Sequence, residues 1–140
     1  MPAPAARQAL QLSVLVIDDS EIARNEMIRV LDNAGFRAVG IASPIGATRA
    51  ILTHRADAVV IDLMMPGMRG DRLAALFRGN SRLKRLAVIL VSGELQTELK
   101  RVAQEVGADE VVPKGRLRDL AQIVSRAIRR RQKADDEGDA

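Results

Sequence analysis

Four strand-like runs in this 140-residue chain each end in a side chain able to do chemistry. Val14-Leu-Val-Ile17 runs into Asp18-Asp19, Ala58-Val-Val-Ile61 into Asp62, Val88-Ile-Leu-Val91 into Ser92, and Glu110-Val-Val-Pro113 into Lys114. Two adjacent carboxylates repel each other unless a cation or hydrogen-bond donors sit between them. Magnesium suits such a place, because it takes oxygen ligands and is held by one or two carboxylates together with phosphate and water. The same pair also reads as a helix cap, in which Asp19 or Ser20 accepts the first free amide hydrogens. Asp62 adds a carboxylate able to attack phosphorus and form an aspartyl phosphate. That transfer needs in-line positioning and neutralised charge on the equatorial oxygens. Magnesium on one oxygen, Lys114 on a second, and the Ser92 hydroxyl with a nearby amide on the third would supply it. Taken singly, Ser92-Gly93 reads as a turn and Lys114 as a solvated strand end. Their joint placement at four strand ends is what points to a phosphoryl site.

Such a convergence needs a parallel sheet, whose strands present their carboxyl ends along one edge, with ligands bound at a topological switch point. The rest of the chain has the matching rhythm, short β-branched runs alternating with helical patterns, which indicates βα units with helices on both faces. Ala23, Met27, Val30, Leu31 and Ala34 form one apolar stripe at helical period. Leu95, Leu99, Val102, Ala103 and Val106 repeat it, and Leu117, Leu120, Ala121, Val124 and Ile128 nearly do. Gly35 and Gly107 follow the first two stripes, as left-handed helix stops should. The second strand, Phe36 to Ala42, carries no chemistry. Pro44 then falls in the first turn of a helix to about His54, with Ser43 as its cap. Leu73, Leu76 and Phe77 mark a shorter helix over Arg69 to Arg78, ending near Gly79-Asn80.

The length suits one domain with one core. The organisation read from the sequence is a flexible leader over residues 1–11, a domain over 12–133 and a disordered acidic tail over 134–140. No cysteine is present, which rules out a disulfide framework and a thiolate metal site. No apolar run approaches the ~18 residues of a membrane span, and the start lacks the features of a secretory signal, so a cytoplasmic protein is expected. The net charge is +4. Its one cluster, Arg129-Arg-Arg131 with Lys133, reads as a solvated helix terminus that complements the helix dipole, offset by Asp135, Asp136, Glu137 and Asp139. No direct nucleic-acid partner is expected from it. His54, the lone histidine, lacks partners for a triad or a metal site and is expected on the surface.

Val14-Leu-Val-Ile-Asp-Asp-Ser20, Ile61-Asp-Leu-Met-Met-Pro-Gly-Met-Arg-Gly70, Val91-Ser-Gly93 and Gly107-Ala-Asp-Glu-Val-Val-Pro-Lys114 together resemble a response regulator receiver domain of two-component signalling, over about Leu12 to Arg131. The resemblance implies a flavodoxin-like, doubly wound sheet of five parallel strands in the order 2-1-3-4-5, with five helices. It implies that Asp62 accepts a phosphoryl group from a sensor histidine kinase or a histidine phosphotransfer protein. Asp18, Asp19, Asp62 and the backbone carbonyl of Met64 would hold Mg2+, and Ser92 and Lys114 would contact the phosphoryl group. The signal would reach the face of the fourth helix, fifth strand and fifth helix, where family members often dimerise; charges of both signs, from Glu94 to Arg118, lie around it.

Four positions depart from that pattern. Val111 stands where an aromatic ring is common three residues before the lysine, so the output cannot be a ring flip and should run through helix displacement or the charged surface. Gly115 replaces a proline that usually follows a cis bond, so a trans link is expected. Arg69 stands where an acid is frequent. Met64, two residues past Asp62, offers an apolar side chain that would shield an acyl phosphate from water and lengthen its lifetime. It also stands where an aspartyl-phosphate phosphohydrolase would carry its general acid, so no turnover enzyme is expected. The function read from the sequence is a stand-alone phospho-acceptor that signals by phosphorylation-dependent binding to a protein target. The alternative is a pseudo-receiver or dimerisation module not regulated by phosphorylation.

Overall fold

The computed structural model describes residues 11–93 and 96–138. The expected leader falls on residues outside that range except for Gln11, as do Glu94 and Leu95. Five strands alternate with five helices: β1 (Ser13–Ile17), α1 (Glu21–Asn33), β2 (Arg37–Ile41), α2 (Ala47–His54), β3 (Ala58–Asp62), α3 (Gly70–Arg78), β4 (Ala87–Ser92), α4 (Gln96–Val106), β5 (Glu110–Pro113) and α5 (Leu120–Gly138). Short 3-10 segments occupy Ser81–Leu83 and Lys114–Asp119. The strands pair in parallel in the order β2-β1-β3-β4-β5, as the resemblance implies.

Period-two alternation divides the central strands between two cores. Val14, Val16, Ala58, Val60, Ala87, Ile89, Val91 and Val112 face α1 and α5, meeting Met27, Leu31, Leu120, Val124 and Ile128. Leu15, Ile17, Val59, Ile61, Val88 and Leu90 face α2, α3 and α4, meeting Ile51, Leu73, Phe77 and Ala103. Because β1, β3 and β4 are covered on both sides, they read as unbroken apolar runs. Right-handed crossovers account for the layering. The chain moves one way from β1 to β2 and the other way from β2 onward, so α1 lands opposite α2, α3 and α4. The order reverses between β1 and β3, which opens the crevice at their carboxyl ends.

The glycine stops take the expected form. Gly35 has φ +96°, its N–H donates to the Asp32 carbonyl, and the Phe36 N–H reaches back to that of Leu31. Gly107, at φ +77°, closes α4 in the same way, with Ala108 bonding to Ala103. Phe36 and Phe77, the only aromatics, are both in the core.

Several expectations need correction. The helix anticipated from Pro44 starts at Ala47, preceded by Gly46 in the left-handed region, and the Ser43 hydroxyl accepts from the Ile45 N–H within a turn instead of capping the helix. Arg55 ends α2 at φ +51°, doing the job that glycine does elsewhere. Leu76 is exposed and Ala74 is buried in its place, while Ala34 is an exposed cap residue. Leu117 packs against the core from the 3-10 segment, which is irregular at Arg116, and α5 proper starts at Leu120. That helix continues to Gly138, through the first residues of the stretch read as a tail.

The edge of the sheet at the strands' amino ends is held by charge. Arg78, at the end of α3, donates to the carbonyls of Leu86 and Gly107 and to Asp109 Oδ2 at 2.7 Å. Asp109 also accepts from the Val88 N–H and, through Oδ1, from Arg131 of α5. One aspartate thereby ties α3, β4, β5 and α5 together. Arg130 pairs with Glu110 and Arg131 with Asp109, so two arginines of the basic cluster are used within the domain.

Candidate functional site

The acid pair sits where β1 gives way to α1. The N–H of Asp18 still reaches across to the Ile41 carbonyl of β2, which keeps this residue in the plane of the sheet and fully buried. Its Oδ1 accepts from the Ser20 N–H at 2.9 Å. Ser20 is the helix cap, its hydroxyl accepting from the Ala23 N–H. The capping role therefore falls to Ser20, and Asp19 is exposed at the mouth of the crevice. Arg24, one turn into α1, donates to the Asp18 carbonyl at 2.8 Å and braces the peptide between the two acids.

Asp62 ends β3 on the neighbouring strand. Carboxylate oxygens of Asp18, Asp19 and Asp62 all lie within 4.8 Å of one another. The second oxygen of Asp18 is buried and has no hydrogen-bond partner. A buried acceptor left open is costly, and a cation among the three carboxylates removes that cost. The donor set is all oxygen, which fits a hard divalent ion such as Mg2+.

The opposite side of Asp62 carries positive charge. Lys114 places Nζ 3.4 Å from Asp62 Oδ1, and the Met64 N–H approaches the same oxygen at 3.5 Å. Ser92, buried at the end of β4, sits one residue past Val91, the register partner of Asp62, and is itself opposite Pro113, the neighbour of Lys114. The structure thus brings together Asp18, Asp19, Asp62 and Lys114, with Ser92 on the adjoining strand end. Burial raises the Asp62 carboxyl above the ordinary carboxylate range, the Asp18 charge adds to this, and Lys114 works against it. A buried, metal-free carboxylate beside another is held back from ionising, which a cation would reverse.

One residue of this site carries no chemical group and was not singled out from the sequence. Gly70, the first residue of α3, lies so close to the Asp62 carbonyl that a β-carbon would overlap it, and its N–H donates to the Leu63 carbonyl at 2.8 Å. The sequence signal was a glycine opening a helix, where a side-chain cap is usual. Met64 is 52% exposed, and Arg69 donates to its sulfur at 3.4 Å. The described peptide bonds, that after Lys114 included, are all trans.

The chain is similar to known proteins. The chain is 31% identical over 127 residues to the sensory transduction protein RegX3 of Mycolicibacterium smegmatis, covering 90% of this chain and 54% of that protein. It is 28% identical over 123 residues to the two-component response regulator ORR6 of Oryza sativa subsp. japonica, covering 83% of this chain and 71% of the relative. A Myxococcus xanthus protein-glutamate methylesterase/protein-glutamine glutaminase is 33% identical over 105 residues, only 30% of its own length. The chain therefore spans about half or less of two of these relatives. Among solved structures, the chemotaxis protein CheY4 of Vibrio cholerae superposes with a TM-score of 0.76 at 25% identity, over 84% of this chain and 98% of that one. Residues 14–125 match the family described as the response regulator receiver domain, and with the sheet order and the acidic crevice in place the chain belongs to that family of two-component signalling proteins.

Proposed function

We propose that the chain is a phospho-acceptor switch in which Asp62 takes a phosphoryl group from a histidine of a sensor kinase or phosphotransfer protein. The observation that carries this reading is the convergence of three carboxylates within 4.8 Å, with Lys114 against the buried one. An Asp62 oxygen attacks phosphorus, the bond from phosphorus to the imidazole nitrogen breaks, and the electron pair leaves with the imidazole. Lys114 then pairs with a phosphoryl oxygen instead of the carboxylate, and the Ser92 hydroxyl donates to another. Asp18, Asp19 and Asp62, with the Met64 carbonyl, would hold Mg2+, which when bound would supply positive charge to offset that on the transferring group. No general acid stands two residues past Asp62, where Met64 is found, so the chain turns over its own phosphate and not a pool of substrates.

Three of the five large exposed apolar side chains among the described residues follow strand carboxyl ends, Ile22 in the first turn of α1 and Ile45 and Met64 in the loops after β2 and β3. An apolar rim around an acidic crevice favours a protein as donor. For output, a groove of about 540 Å³ runs between α4 and α5 over β5, floored by Ala103, Val111 and Ile123. It suits a protein target docked by phosphorylation, or a second copy of the chain. Asp109, Glu110 and Arg116 of that face are engaged in pairs within the chain, which favours the target over the dimer. The reading places the protein in the cytoplasm, where kinases phosphorylate their histidines.

The test is incubation with acetyl phosphate and Mg2+, followed by intact-protein mass spectrometry. One added phosphoryl group, absent in Asp62→Asn, supports the reading. A wild type that stays unmodified, by this donor and by histidine kinases alike, supports the pseudo-receiver instead.

A further inference from the structure

The loop between β3 and α3 is closed at both ends around Asp62. At its start the Met64 N–H approaches Asp62 Oδ1, and at its end Gly70 packs on the Asp62 carbonyl. On the outer side a chain of side chains crosses the loop. Asp71 Oδ1 accepts from Arg69 Nε at 3.2 Å, and Arg69 Nη1 donates to Met64 Sδ at 3.4 Å. Asp71 is itself oriented by the Arg72 N–H, which donates to the same oxygen at 3.0 Å. A methionine has three rotatable bonds, and half-exposed it would sample many rotamers. Here the planar fork of one arginine engages an anchor with one nitrogen and the thioether with another.

We infer that Arg69 is a positioning residue that holds the Met64 thioether at the mouth of the site and so sets the lifetime of the aspartyl phosphate. The inference rests on the reading of Asp62 as acceptor. Loss of the phosphoryl group requires a water oxygen to attack phosphorus in line with the bond to Asp62. That bond breaks with its electron pair returning to the carboxylate, and the water's proton leaves with the inorganic phosphate or solvent. An apolar group fixed over the approach excludes that water, and one free to swing away does not. Neither Met68 nor Met65 can stand in, since Met65 is buried and Met68 is packed against the core. An acid at position 69 would abolish the contact, because a carboxylate has no hydrogen to give the sulfur.

The experiment loads wild type, Arg69→Ala, Arg69→Lys, Met64→Ala and the Arg69→Ala/Met64→Ala double variant with acetyl phosphate and Mg2+. After desalting, loss of the phosphoryl mass is followed with time. Exposed contacts of this kind are weak, so Arg69→Ala should lose phosphate about two- to fivefold faster, with the lysine variant recovering part of the lifetime. The double variant should lose it no faster than Met64→Ala alone, and uptake by Arg69→Ala should match wild type. A wild-type lifetime in Arg69→Ala, or multiplying effects in the double variant, overturns the inference while leaving the acceptor intact. Absence of a phosphoryl mass on wild type, or its persistence in Asp62→Asn, overturns the acceptor reading and this inference with it.

Discussion

Gly70 packs its α-carbon against the backbone carbonyl of Asp62, leaving no room for a side chain between the start of α3 and the end of β3. Gly70→Ala must therefore move either the helix or the acceptor. We expect a folded but destabilised protein, by about 1–3 kcal/mol as for overpacked cores, in which Mg2+ affinity and phosphorylation by acetyl phosphate both fall about tenfold or more. Calorimetric Mg2+ titration suits a chain without tryptophan or tyrosine. Unaltered Mg2+ affinity in a destabilised Gly70→Ala would separate the packing from the site.

The Asp62 carboxyl sits above its usual range because of burial first and Asp18 second, against the pull of Lys114. The metal-free native state thus holds this proton more tightly than the unfolded chain does. As pH rises from the ordinary value of 3.8 through the raised folded value, the unfolded state releases its proton first and native stability falls. Asp62→Asn removes that loss, so at pH 7 without Mg2+ it should be more stable than wild type, with a higher urea midpoint. Added Mg2+ should reverse the order, stabilising wild type alone. Superimposable urea curves for the two proteins at pH 7 without metal would contradict the assignment of the cause.

Arg78 joins Asp109 at the edge of the sheet away from the crevice, and its own pKa is lowered by burial, partly restored by that aspartate. Removing one partner leaves the other charged and largely buried. Arg78→Leu should lower stability by about 3 kcal/mol, and Asp109→Ala similarly. The two together should lose less than the sum. Mg2+ affinity of the folded fraction should be unaffected, and a parallel fall in affinity would show that the two edges communicate.

Ile22 and Ile45, in the segments that follow β1 and β2, are 83% and 90% exposed. Changing both to Asp should leave the rate with acetyl phosphate within about twofold of wild type. Transfer from a phosphorylated kinase or phosphotransfer protein should slow at least tenfold, as for loss of an interface anchor. Equal slowing with both donors would mean that the substitutions damage the site instead of the contact.

What could be read from the sequence was whatever has a local period or a local end. Strands covered on both faces are unbroken apolar runs, so β1, β3 and β4 and the acids and serine that end them were visible, as were Gly35 and Gly107. The start of α2 was misplaced because Ser43-Pro44 is a good cap signature locally, while the turn that overrides it depends on Gly46 adopting positive φ. Arg55 gave no signal because nothing marks an arginine as left-handed. Gly70 against Asp62, and Arg78 with Asp109, join residues 8 and 31 positions apart through the fold alone, and no spacing rule encodes them.

The last helix holds a mechanical consequence. Ile128 is its last core residue among those whose burial is described, yet the helix runs on to Gly138, ten residues that reach about 15 Å at ~1.5 Å each. Its root lies on the groove between α4 and α5, and its shaft is pinned at Arg131 to Asp109. A tilt of a few degrees at the root becomes a displacement of ångströms at the tip. The domain carries its own pointer, and a spin label or fluorophore at a single cysteine introduced near Lys133 would read its swing in a chain that has no other thiol.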